Sequence, residues 1–189
     1  MTVREKIIIA AKKLFWSNSI KKVSIVDICK EAEVSKMSFY RQFKNKEELV
    51  IEILVYVSEN AIEVYKEIIN SDRPFSERMQ RLVKMKHDMT QDLSQDFLEE
   101  VYLNGGIGAE KLQEMSQISI SLFMQDLDRA RAEGDLRNDL SNEFILHMMA
   151  HAQNMMNDPA LRAMYPNPQD LITEVTRFFV FGIIGEKNN

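Results

Sequence analysis

The chain holds a single cysteine, Cys29, among 189 residues. No internal disulfide can form, and a lone thiol fits a reducing compartment. Glycine (6) and proline (4) are scarce, and no stretch shows sustained β-branched alternation, which excludes a sheet as the main architecture. Long hydrophobic runs are missing as well. The longest, FFVFGII at 178–184, is far short of the about 20 residues that a membrane helix needs. The first residues, MTVREKIIIAAKKLF, interrupt their apolar positions with charge and offer no small-residue cleavage site, so they do not read as a signal peptide. These absences predict a soluble, cytoplasmic, all-α chain with no membrane partner.

Hydrophobic residues make up 45% of the chain, enough for a sizeable core. The net charge is −5, which taken alone argues against nucleic acid. The charge is unevenly placed, however. Residues 1–50 carry 11 Lys and Arg against 6 Asp and Glu, and the other 139 carry 13 against 23. A basic head on an acidic body predicts that only the head meets phosphate.

Within the head, Ile7, Ile8, Ala11, Leu14 and Phe15 recur at helical spacing, with Lys6, Lys12 and Lys13 off that stripe. This first helix ends near Trp16–Ser19. Ser24 reads as an N-cap, with Asp27 three residues on completing a capping box. A second helix follows from Ile25 to Ala32, burying Ile25, Ile28 and the small Cys29 where two helices cross closely. Ser35 caps a third helix over about Lys36 to Phe43. Phe39 and Phe43 face inward with Tyr40 beside them, leaving Lys36, Met37, Ser38, Arg41 and Gln42 for a groove. Hydroxyls and helix N-terminal amides bind phosphate oxygens, and Lys and Arg also reach guanine acceptors. Asn45 caps the next helix, whose first residue is Lys46. Two short helices around a tight turn, the second basic and rich in hydroxyls, are the layout of a helix-turn-helix DNA reader.

The run LFWSNSIKKVSIVDICKEAEVSKMSFYRQFKNKEEL (14–49) resembles the DNA-binding domain of TetR-type transcriptional regulators. The D-I-x-x-x-A-x-V-S-K turn region, the S-F-Y-R-x-F recognition helix and the K-x-K-E-E-L start of the fourth helix occur in register. The resemblance implies phosphate contacts from Ser24, Ser35, Ser38, Tyr40 and Lys46, and base reading mainly from Lys36 and Met37. Two positions depart from the family: Glu33 stands where the turn usually has Gly, and Met37 stands where helix 3 usually has Gly. A left-handed Glu33 costs about 1–2 kcal/mol. Met37 prevents close backbone approach to the bases but offers a side chain to a thymine methyl.

Beyond residue 46 the chain reads as helices with short breaks. The first spans about 46–70 and the next runs from Pro74 to about Leu93. A short one starts at Ser94 and carries Phe97, Leu98, Val101 and Tyr102, ending at Asn104-Gly-Gly-Ile-Gly108. A long helix follows to Glu133, stopped by Gly134. Ser141 opens another, running to Met156 and broken by Asp158-Pro159. A last helix starts after Tyr165-Pro-Asn-Pro168 and ends near Gly185. The stretches R-A-E-G-D-L-R-x-D-L-S (131–141) and R-F-F-x-x-G-I-I-G (177–185) resemble TetR-type regulatory domains, whose last two long helices form a four-helix dimer interface. The resemblance implies such an interface from Phe144, Ile145, Met148, Met149 and Ala152 with Leu171, Val175, Phe178, Phe179 and Gly182. The body is rich in methionine, which lines adaptable sites but equally fills cores. Met85, Met89, Met115 and Phe123, with His147 and His151 as wall or interface residues, are the candidates for a small-molecule pocket.

Other chemistry finds little support. His147 and His151 share a helix face, but no Cys or carboxylate pattern completes a metal site, so no metal is expected. The Gly105-Gly-x-Gly108 run follows a helix rather than a strand, which argues against a dinucleotide loop. No nucleophile elbow, phosphate-binding loop or H-E-x-x-H is present. The expectation is therefore a non-enzymatic, cofactor-free homodimer. A helix-turn-helix DNA-binding domain (1–46) joins a helical ligand-binding and dimerisation domain (47–189). The expected function is transcriptional regulation, as a repressor released from a near-palindromic double-stranded operator by a small lipophilic effector. The rival reading is an architectural or partner-binding protein with only non-specific DNA binding, and a further rival is a metal enzyme built on His147 and His151.

Overall fold

A computed structural model describes residues 1–90, 92–102, 106–136, 139–155, 158–165 and 167–183. Its described residues form ten α-helices: α1 Val3–Ser17, α2 Ile25–Glu31, α3 Lys36–Gln42, α4 Lys46–Ile69, α5 Phe75–Thr90, α6 Gln95–Tyr102, α7 Ala109–Ala132, α8 Asn142–Met155, α9 Pro159–Ala163 and α10 Pro168–Ile183. No β-strand occurs among them. The expected end of the eighth helix at Met156, residues 104 and 105 of the 104–108 break and the terminus near Gly185 lie outside the described residues, as do the side chains of Leu98 and Tyr102.

Local signals explain most boundaries. Thr2 caps α1 in a full capping box with Glu5, which the apolar periodicity of this segment did not reveal. Ser24 caps α2 as expected, and Asn45 accepts from the Glu48 amide at 2.8 Å at the start of α4. Gly134, at φ 75°, ends α7. Helix α5 stops at Thr90, short of the expected Leu93. The five-residue α9, capped by the Asp158 carboxylate, fills a stretch expected only to be a break.

The packing falls into two compact units, residues 1–60 with 92–115, and 61–91 with 116–189. This division is not at residue 46. The core of the first unit combines Ile7, Phe15, Ile28, Phe39, Phe43, Leu49 and Ile53 with Leu93, Phe97 and Val101. Helix α6 thus completes the core of the three-helix head. Its Phe97 ring lies 4.7 Å from Trp16. Ser94 donates from its amide to the Trp16 carbonyl at 2.8 Å, and Ser19 Oγ donates to Glu100 at 2.6 Å.

The core of the second unit gathers Tyr65, Ile68, Phe75, Met79, Leu82, Phe123, Leu127, Ile145 and Val180. Helix α5 is held at both ends by side chains from elsewhere in this unit. The Phe75 amide donates to Asp135 Oδ2 at 3.0 Å, and Gln169 Nε2 donates to the Thr90 carbonyl at 2.9 Å. Arg78, fully buried on α5, pairs with the buried Asp126 of α7 at 2.9 Å and also reaches Glu133 at 3.5 Å. Burial pushes the Asp126 carboxyl above its ordinary pKa, and the adjacent guanidinium pulls it back. Such a pair contributes little net stability compared with apolar residues, but removing one partner strands a buried charge.

Glu33 sits at φ 54°, the only positive φ outside glycine among the described residues. It follows the α2 C-cap in a Schellman turn. The Val34 amide donates to the Cys29 carbonyl at 2.9 Å, and the Glu33 amide to the Lys30 carbonyl at 3.2 Å. The turn therefore forms with glutamate in the position that favours glycine.

Both the strained turn and the buried ion pair can be tested by substitution. Glu33→Gly removes the left-handed penalty and should stabilise the protein by about 1 kcal/mol, raising the melting temperature by roughly 2–4 °C in a chain of this size; a lower melting temperature refutes the strain argument. Asp126→Asn should destabilise by about 3 kcal/mol in thermal denaturation, with much of the loss recovered by adding Arg78→Met. A double variant no more stable than the single would show that the stranded charge is not the cause.

Candidate nucleic-acid interface

The third helix is oriented by the rings it buries. Phe39 and Phe43 are 0% and 1% exposed, with centroids 5.8 Å apart, and Arg4 lies over the Phe43 ring at 4.6 Å while donating to the Gln42 carbonyl. With this face fixed inward, the helical period leaves Lys36, Met37, Tyr40 and Arg41 on the outer face. Met37 is 68% exposed and Tyr40 56%. Tyr40 stands edge-on to Phe39 at 5.4 Å, so it is an outer-face residue rather than a companion of the buried pair. Arg41 Nη2 reaches Met37 Sδ at 3.7 Å, so these two side chains act as neighbours on one surface. Gln42 is half-buried.

The hydroxyls expected to meet phosphate already have local partners. Ser35 Oγ accepts from the Ser38 amide at 3.1 Å and pairs with Ser38 Oγ at 2.9 Å. Ser24 donates its hydroxyl to Asp27 at 2.6 Å and its amide to the same oxygen at 2.9 Å. The Ser24 hydroxyl, and then its backbone amide, hold the Asp27 carboxyl below the usual aspartate value. Lys46 donates to the Ile20 and Val23 carbonyls at 2.6 and 2.9 Å. Its ammonium clips the α1–α2 connection and keeps one donor for another acceptor. Cys29 is buried, and burial pushes its thiol above the ordinary value, which suits packing rather than redox chemistry.

The body residues are gathered only in part. Phe123 is core, 6.4 Å from Phe179, and Met85 packs against that core half-buried. Met89 is also half-buried, whereas Met115 belongs to the first unit. His147 and His151 are exposed on α8. Lys86 is a candidate that the sequence pattern did not bring forward. It lies one turn beyond Leu82 and Val83 on the row of α5 that is otherwise buried. Its side chain is exposed, though crowding by neighbouring atoms favours the neutral amine and lowers its pKa, and no carboxylate pairs with it among the described residues. The signal available in sequence was the period itself, which puts a lysine where an apolar residue belongs.

Of the expected interface residues, Phe144, Met148 and Phe178 are exposed, at 51%, 38% and 79%. Gly182 is exposed, and Ala152, Val175 and Phe179 are half-buried. Ile145 and Leu171 are core instead, at 0% and 4%. Phe181, not anticipated, adds to the exposed set at 46%. Among the described residues no cluster of three His, Cys, Asp or Glu is placed to hold a metal ion, and no helix is long and apolar enough to cross a membrane.

Comparison with known proteins agrees with this geometry. Residues 7–53 match the bacterial regulatory proteins of the tetR family. No curated protein matches the chain in sequence. Among solved structures, the chain is similar to the fatty acid degradation regulator FadR from Bacillus halodurans, with 15% identity, 96% of each chain covered and a TM-score of 0.71. It is similar to reduced E. coli NemR, with 17% identity, 100% of each chain covered and a TM-score of 0.69. FadR from Bacillus subtilis in complex with stearoyl-CoA is 18% identical over 95% of this chain and 98% of its own, with a TM-score of 0.69. Identities this low concern the fold, and the family rests on the head. Residues 7–53 are thus a helix-turn-helix domain of the tetR-family type, and the all-α fold of the chain is one that it shares with solved transcriptional regulators.

Proposed function

We propose that the protein is a homodimeric repressor that leaves a near-palindromic operator when a small lipophilic effector binds. The observation that carries the DNA-reading part is the outer face of α3. Lys36, Met37, Tyr40 and Arg41 project together from a helix whose other face is fixed by Phe39 and Phe43. Lys36 and Met37 would read base edges, with Arg41 reaching an adjacent base or phosphate. Ser24, Ser35, Ser38, Tyr40 and Lys46 would position the head on the backbone. The properly formed turn at Glu33 favours this specific reader over an architectural protein with a vestigial head.

Dimerisation is supported by the exposed apolar residues of α8 and α10, Phe144, Met148, Phe178 and Phe181, a set of large side chains that water solvates poorly. Two heads would then enter successive major grooves about 34–36 Å apart. The regulatory domain would begin after residue 46, and α4 would carry the signal. Helix α6 offers a second route, since it is hydrogen-bonded to the end of α1 and shares the core of the head. An effector acts only through different affinity for the two states. A structural relative, FadR from Bacillus subtilis, forms a complex with stearoyl-CoA, which supports a lipophilic effector here. The methionines Met85 and Met89 with Phe123 would supply apolar surface, and Lys86 would complement an anionic group on the effector.

Selection from a random duplex pool with the purified protein should enrich a near-palindrome. Lys36→Ala or Met37→Ala should cost about 1–3 kcal/mol and change the preferred base at one half-site position. Tyr40→Phe removes only a phosphate-binding hydroxyl and should weaken binding to every sequence alike. No enrichment from folded protein that still binds at low salt would reject the repressor reading in favour of non-specific binding. For the effector, a fatty-acid carboxylate such as palmitate should raise the melting temperature more than the matched alcohol, and Lys86→Met should abolish the difference. Equal shifts for acid and alcohol in the parent protein would remove Lys86 from the effector site.

A further inference from the structure

His147 and His151 stand one turn apart on α8, both exposed. Their rings do not merely share a face. The centroids are 4.6 Å apart and the planes meet at 68°, and the two Nε2 atoms converge to 3.1 Å. Two imidazole nitrogens so close face one another through a single proton, or through a cation that both ligate. With zinc–nitrogen bonds of about 2.0–2.1 Å, two ligands on one tetrahedral ion sit about 3.3 Å apart. The observed separation is therefore close to that of a preformed two-toothed clamp, and the ordinary cost of ordering the second ligand is already met by the helix.

Two imidazoles fill only half of a tetrahedral shell, and among the described residues no third His, Cys, Asp or Glu joins them. The surroundings indicate where the other half comes from. At the helical period, Phe144, His147, Met148, His151 and Met155 fall within one arc of about 100° on α8, and all five are exposed. Exposed aromatic and thioether groups flanking a clamp describe a surface that meets protein. A two-fold axis through such a surface brings the same two histidines of a second copy toward the first pair, because a two-fold contact is self-complementary.

We propose that His147 and His151 bind a late first-row divalent metal ion, zinc by preference, shared between two copies of the chain, each contributing the same pair of imidazoles. The inference rests on the α8–α10 dimer reading given above. Four neutral imidazoles and no thiolate select an ion such as zinc over magnesium or calcium, which take oxygen ligands. The ion would tie the two protomers at one point of the interface and set the distance between the heads.

The test uses the full-length protein stripped of metal and titrated with zinc chloride against a chromophoric chelator, with sedimentation run in parallel. The expected result is one zinc per two chains and a dimer that persists at lower protein concentration when zinc is present. His147→Gln and His151→Gln each abolish stoichiometric binding, while His87→Gln, which changes a histidine outside the clamp, leaves it intact. A stoichiometry of one zinc per chain, or binding unaffected by His151→Gln, overturns the shared site. A metal-free dimer that takes up no zinc overturns this inference and leaves the dimer reading standing. A chain that stays monomeric with and without zinc overturns both.

Discussion

The packing of Phe39 and Phe43 into the core of the head is the constraint on which the rest depends. A seven-residue helix forms only marginally on its own, since nucleation costs more than so few hydrogen bonds return. Helix α3 is kept by burying two rings four residues apart against α1, α2 and the start of α4. The same burial decides which side chains are presented outward, because the helical period leaves no freedom once one face is fixed. Met37 and Tyr40 are more than half exposed for that reason. Substituting the core rings would therefore change which side chains α3 presents without touching its outer face, by letting the helix rotate or fray. Arg4 strengthens the arrangement from the opposite end of the head by covering Phe43 and reaching the Gln42 carbonyl at the end of α3.

That core does not stop at the head. Trp16, at the end of α1, packs on Phe97, and the neighbouring Ser94, Ser19 and Glu100 hydrogen bonds fasten α6 to the α1–α2 connection. Lys46 ties the same connection to the start of α4 through the Ile20 and Val23 carbonyls. Two helices from later in the chain thus converge on one short segment, 18–23, which immediately precedes the α2 N-cap. A shift in either is transmitted to this segment by hydrogen bonds with fixed partners, not by diffuse packing. The segment itself buries Ser19, Ile20 and Val23, so it is held by the core as well as by these hydrogen bonds. This makes the connection, more than either helix alone, the point at which α4 and α6 are coupled to the head.

Much of the head is legible in sequence because its signals are local. Ser24 with Asp27, Ser35 and Asn45 each cap a helix through the backbone a few residues on, and such spacing can be read directly. The inward placing of Phe39 and Phe43 follows from their separation of four. What is not legible comes from contacts distant in sequence. Nothing around Gln95–Tyr102 marks α6 as part of the head's core, since the partner of Phe97 is Trp16. The boundary expected at residue 46 reflects motif length, whereas packing assigns residues by proximity. Aromatic residues usually bury, which sets Tyr40 beside the inward rings on paper, but its register puts it outside. Ile145 and Leu171 are hard to tell from their exposed neighbours in sequence because the apolar residues of α8 and α10 spread beyond one narrow stripe, as Phe144–Ile145 and Phe178–Phe179 show. Periodicity marks the polar side of each helix but not which apolar residues are covered.

The second unit shows how charge can specify packing without adding much stability. Arg78 and Asp126 are both buried, and a well-packed apolar pair of similar volume would serve stability as well or better. Their contribution is to exclude alternatives. Helices α5 and α7 bury apolar residues one turn apart, Met79 and Val83 on α5 and Phe123 and Leu127 on α7, contacts that do not by themselves specify direction. A slip by one turn would, however, separate Arg78 from Asp126 and from Glu133, and would pull the α5 N-terminus away from Asp135. Each separation leaves a buried charge or amide unmet, which is expensive in a low-dielectric interior. The register of α5 is thereby fixed at its N-terminal half by charge and at its C-terminus by Gln169. Between these anchors, Met85 and Met89 are half-buried and Lys86 has no carboxylate partner among the described residues. A helix pinned at both ends and adaptable between them is suited to lining a site that must accept a ligand without losing its fold.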